Sequence, residues 1–123
     1  MYIYYNANPL GRKVNDCTVR AISLATGKSW DYTYSELSNF AQAQAIMADD
    51  VTYIDDYLAR RYIKVYDNDY NNRITLEEFT HYFPHGIYLV TMSGHITCCI
   101  DGNIYDTFDP SHRYIWEAYC VEK

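Results

Sequence analysis

A chain of 123 residues, 49% of them hydrophobic, is long enough for one domain around one core and too short for two. A formal charge of −6 argues against a nucleic-acid partner, which calls for a basic face, and no stretch approaches the ~18 apolar residues of a membrane span. Tyrosine dominates the aromatic residues, with 15 Tyr against 4 Phe and 2 Trp, which predicts rings at the core edge or in a groove with their hydroxyls kept wet.

The opening residues, Met1 to Asn6, carry neither the charged start nor the apolar run of a signal peptide. The expected location is therefore the cytoplasm, where Cys17, Cys98, Cys99 and Cys120 stay reduced. No Cys-x-x-Cys pair is present, so no structural zinc and no other cofactor is expected.

In chain order, Asn15-Asp16 supplies a capping residue before Cys17 to Thr26, and Gly27 can stop that helix. Val19, Ile22, Leu24 and Ala25 give it a broad apolar surface, which predicts burial. A second helix runs from about Ser29 into the 40s, with Leu37, Phe40, Ala41 and Ala45 on one stripe. A third begins near Asp50 and sets Val51, Ile54 and Leu58 on one face. Tyr62 to Tyr66 alternates like a strand, and a short fourth helix opens on the capping-box pattern Thr75-Leu76-Glu77-Glu78 and ends at Pro84. The period then changes to that of strands: Ile87 to Met92, His95 to Ile100, Ile104 to Phe108 and Tyr114 to Val121. Helices followed by an antiparallel meander make the class α+β, one domain over residues 1–123.

Cys17 in the first turn of a buried helix and His95 at the start of a later strand form a pair with clear chemical logic. An ordinary thiol, with a pKa near ~8.5, is mostly protonated at neutral pH. A helix N-terminus and a neighbouring imidazolium both favour the thiolate, and the imidazolium later protonates the leaving group. A carboxylate on the adjoining strand would hold the ring in its working tautomer. Two registers are open. A three-residue turn at Asp101-Gly102-Asn103 sets Asp109 opposite His95; a two-residue Asp101-Gly102 turn sets Phe108 there and Asp106 on the diagonal. The diagonal spacing of ~7–8 Å is long for a carboxylate and favours Asp109, with Asp106 as runner-up.

Asn15-Asp16-Cys17 entering a helix, Gly94-His95 entering a strand and Tyr105 to Pro110 closing a hairpin resemble papain-like cysteine peptidases. In plan the chain is similar to the minimal versions found in phages and bacteria, to double-glycine peptidases and to transglutaminase-like enzymes. The resemblance implies a nucleophile helix packed on a C-terminal meander and a Cys-His-Asp triad of Cys17, His95 and Asp109. It implies a peptide or protein substrate, and a host cytoplasm as the setting if a phage encodes the chain. Such enzymes place a Gln six residues before the nucleophile as oxyanion donor; here that position is Gly11, leaving Asn8 or Asn15 beside the Cys17 N–H for the task.

Two other readings remain open. One is a non-catalytic papain-like module that docks on a host protein through its tyrosines. The other is a calcium loop, because Asp67, Asp69, Asn71, Thr75 and Glu78 fall at the ligand positions of an EF-hand, with Asn72 where Gly is usual. That loop stands alone and follows a strand-like segment, so a polar connection to the fourth helix is the simpler expectation.

Overall fold

The computed structural model describes residues 1–69 and 71–121, without the side chain of Val51. The order of elements is β1 (Tyr2–Tyr4), α1 (Cys17–Thr26), α2 (Trp30–Ala43), a 3-10 turn (Val51–Tyr53), α3 (Ile54–Arg61), β2 (Ile63–Asp67), α4 (Leu76–Tyr82), β3 (Ile87–Met92), β4 (His95–Ile100), β5 (Asn103–Asp106) and β6 (Ile115–Cys120). The six strands form one mixed sheet in the order β1-β5-β4-β3-β6-β2, so the class is α+β. No helix among the described residues is long and apolar enough to cross a membrane.

The helices start and stop where local chemistry dictates. Gly27 ends α1 in the left-handed conformation (φ 73°) and donates to Leu24 and Ser23. Ser29 Oγ accepts from the Tyr32 N–H to open α2, and Thr75 with Glu78 completes a reciprocal capping box on α4. α2 stops at Ala43, so Ala45 lies beyond the helix, exposed and with a positive φ of 57°, off the expected stripe. In the third helical segment Tyr57 and Leu58 are buried and Ile54 half-buried; Val51, expected on the same face, lies outside the described side chains.

The sheet is covered on both faces. Ile22, Ala25, Leu37, Ala41, Tyr57 and Leu58 of the first three helices pack on Leu89, Ile96, Cys98 and Tyr119. On the other face Leu76 and Phe79 of α4 pack on Tyr88, Val90, Cys99, Ile104 and Ala118. Cys98 and Cys99 thus point to opposite cores, as adjacent strand residues must.

Two strand expectations are corrected. The sheet is not a simple antiparallel meander: β1 pairs parallel with β5 at one edge, and β2 pairs antiparallel with β6 at the other. The β4–β5 connection is the two-residue turn. Cys99 faces Ile104 and Ile100 faces Asn103, with Asp101 (φ 49°) and Gly102 (φ 79°) both left-handed. Two consecutive positive φ values match the twist of a hairpin, and Asp-Gly adopts them readily. The Asp101 carboxylate further fixes the turn by accepting the Gly86 N–H at 2.9 Å.

Candidate active site

Asp16 occupies the N-cap position of α1, but its side chain caps nothing. Its Oδ1 accepts from Arg20 Nε at 2.7 Å, and its Oδ2 accepts from Trp30 Nε1 at 3.0 Å and Asn8 Nδ2 at 3.2 Å. The expected cap is therefore a lateral strut. Its diversion leaves the first-turn N–H groups of α1 without a side-chain acceptor, at the place where Cys17 begins the helix.

Packing of α1 along β4 brings Cys17 to His95. Burial pushes the Cys17 thiol up, but bonding with the His95 side chain and the Ile96 backbone outweighs it, and the thiol falls below its ordinary value. His95 Nε2 is bound to Asp106 Oδ2 at 2.6 Å, which leaves Nδ1 as the ring nitrogen for the sulfur. Burial alone would lower the imidazole pKa. The Asp106 carboxylate and then Cys17 reverse that, and His95 is pushed up to about 9. Asp106 is only 3% exposed; burial opposes its ionisation, but His95, Thr97 and the Thr107 N–H hold its carboxyl below the usual range. A lowered thiol beside a raised imidazole is the signature of a thiolate–imidazolium pair.

The third residue differs from expectation. Asp109 is exposed and spends its carboxylate on the Ser111 N–H at 3.0 Å, in the bend after β5. The two-residue turn is the reason. It directs Asp106 to the His95 side of the hairpin and brings Phe108 over the imidazole, with ring centroids 4.8 Å apart. The diagonal gap that argued against Asp106 is closed by the length of the histidine side chain.

Arg20 is the residue that sequence reasoning overlooked. Its guanidinium, with the side chain 12% exposed, joins Asp16 Oδ1 to Asp106 Oδ1 (3.3 Å) and Thr107 Oγ1 (3.2 Å). One buried network therefore runs from Trp30 through Asp16, Arg20 and Asp106 to His95. The signal was present as an Asp–Arg pair at i, i+4 across the helix start.

Of the two expected oxyanion donors, Asn8 is engaged elsewhere. Asn8 gives its amide N–H to Asp16, and its Oδ1 accepts from the Leu10 and Arg12 N–H groups, so it shapes the loop before α1. Asn15 is exposed, and Gly11 takes a positive φ of 63°. The backbone group bonded to the sulfur is that of Ile96 on β4, and the Asp16 side chain caps none of the first-turn N–H groups of α1.

Burial pushes the Cys98 thiol up to about 12 and raises Cys99 further, while His81, His85 and His112 are all exposed. In the candidate calcium loop, β2 rather than a helix leads in, and Glu78 Oε1 is bound to the Thr75 N–H and hydroxyl. Asp69 closes a turn on the Asn71 N–H, and Tyr70 lies outside the described residues. Among the described residues no group of three or more His, Cys, Asp or Glu is arranged to hold a metal. The chain matches no protein-family model, and searches of the curated proteins and of the solved structures return no match.

Proposed function

We propose that this chain is a thiol-dependent hydrolase of papain-like plan, acting on a peptide or isopeptide bond with Cys17 as nucleophile, His95 as proton carrier and Asp106 as its orienting carboxylate. The observation that carries this reading is the Cys17–His95–Asp106 chain of contacts at the uncapped start of a helix. A buried, reduced cysteine that served only packing would have a raised thiol pKa, as Cys98 does.

In the proposed reaction the Cys17 sulfur bonds to the substrate carbonyl carbon, and the oxyanion draws on N–H groups of the first turn of α1. As the carbon–nitrogen bond breaks, His95 passes its proton to the departing amine. Water then adds to the thioester with His95 as base, which releases the acid and returns the proton to the pair. An amine acceptor in place of water gives acyl transfer, and ammonia as the leaving group gives deamidation.

The test is incubation with a mixed peptide library, reading new termini, mass changes and the thioester on Cys17 by mass spectrometry. Products that vanish in Cys17→Ser support the reading. A reactive Cys17 that forms no acyl adduct with any peptide contradicts it.

One observation favours a second reading, a binding module without turnover. Asn8 is committed to Asp16 and the position six before Cys17 is Gly11, so neither place supplies a free side-chain amide to stabilise an oxyanion. Exposed Tyr4, Tyr5, Tyr32 and Tyr34 would then supply the contact surface.

A further inference from the structure

The described cations of this acidic chain are almost all occupied. Among the described residues Arg20, Arg60, Arg61 and Lys64 pair with carboxylates. Lys28, Arg73 and Arg113 lie over the rings of Tyr32, Tyr114 and Phe108. Arg12 and Lys13 do neither, and both are exposed. They are adjacent, and they line a groove of about 320 Å³ with Val14, Asp16, Arg20 and Thr107. Arg20 also lines the small cavity that holds the Cys17 side of the site, so groove and thiol share one wall. The one carboxylate in the groove, Asp16, is already saturated by Arg20, Trp30 and Asn8 and does not neutralise the pair.

A chain of net charge −6 repels anions over most of its surface, so two unpartnered cations beside the nucleophile select for negative charge locally. We propose that this groove binds a carboxylate carried by the acyl substrate and thereby directs the enzyme to acidic peptides. The proposal rests on the reading of Cys17 as the acyl-accepting thiol. Two sources would supply the same group: an Asp or Glu side chain near the bond attacked, or the free C-terminus of a peptide.

Paired electrophiles test it on the intact chain. Alkylation of Cys17 is followed with iodoacetate and iodoacetamide, which differ in charge, in the unsubstituted protein and in Arg12→Ser/Lys13→Ser. The double substitution should slow iodoacetate about five-fold, the scale of one close charge pair in water, and leave iodoacetamide within about two-fold. The slowing of iodoacetate by the double substitution should also shrink as salt rises. Equal effects on both reagents, or none on iodoacetate, overturn the groove while leaving the thiolate intact. Slow iodoacetamide labelling of the unsubstituted protein would instead sink the thiolate reading and this proposal with it. Chloroacetyl-Glu-amide and chloroacetyl-Gly-Gly separate a side-chain from a terminal carboxylate, with chloroacetyl-Gln-amide as neutral control. The faster acid names the source, and no preference over the control contradicts the proposal.

Discussion

Asp106 meets His95 across the diagonal of the β4–β5 hairpin, with Oδ2 2.6 Å from Nε2, while Phe108 rather than a carboxylate lies tilted against the ring. The same carboxylate has its other oxygen on Arg20 and on the Thr107 N–H, so its position is fixed from two sides. A histidine held this way keeps one tautomer and one orientation towards the thiol.

This geometry predicts unequal roles for the two aspartates after the turn. Asp106→Ala should slow Cys17 alkylation at pH ~6 by about ten-fold or more, because the imidazole loses the charge that keeps it protonated. Asp109→Ala, which removes only a contact to the Ser111 N–H, should change the rate by less than about two-fold. The opposite order would assign the orienting role to Asp109.

A second expectation concerns the strut beneath the site. Removing Arg20 leaves Asp16 (7% exposed) and Asp106 (3% exposed) facing each other without their shared cation. Breaking a buried pair in this way costs about 3–5 kcal/mol, so Arg20→Met should lower the urea midpoint sharply. Arg20→Lys should recover part of the loss, since a single ammonium cannot reproduce the forked contacts. A midpoint unchanged in Arg20→Met would mean that the network carries no stability.

Much of this arrangement is readable in the sequence because it is local. Ser29, Thr75 with Glu78, and Gly27 announce helix ends within three or four residues, and all three act as their chemistry requires. What was not legible depends on distant partners. β1 is three residues long, and its partner β5 lies about a hundred positions away, so Tyr2–Tyr4 carries no periodicity to read. The carboxylate beside His95 hung on a single turn residue. Asp101-Gly102 carried the correct local signal, but the resemblance and the short reach of a carboxylate argued for Asp109. Asp16 stood at the right place for a cap and was diverted by Arg20 and Trp30, whose side chains meet it only in the folded chain.

The four cysteines should separate cleanly in reactivity. Cys17 should be alkylated by iodoacetamide at pH ~6 ahead of the other three, because Cys98 and Cys99 are buried with raised thiol pKa values. Mass spectrometry of tryptic peptides after brief labelling reads the order directly. Labelling of Cys120 before Cys17 would show that exposure, and not thiolate character, governs the chain.

The pH dependence of Cys17 alkylation tests the Cys17–His95 pair most directly. Thiolate grows as pH rises through the thiol pKa, so a lowered pKa means reactivity that sets in at lower pH than in a free thiol. The account predicts a rate whose midpoint lies below that of a free thiol, and a His95 that titrates near 9. In His95→Ala the midpoint should rise, since burial then acts on the thiol without its counter-charge. A midpoint no lower than that of a free thiol in the unsubstituted chain, unchanged by His95→Ala, would contradict the pair.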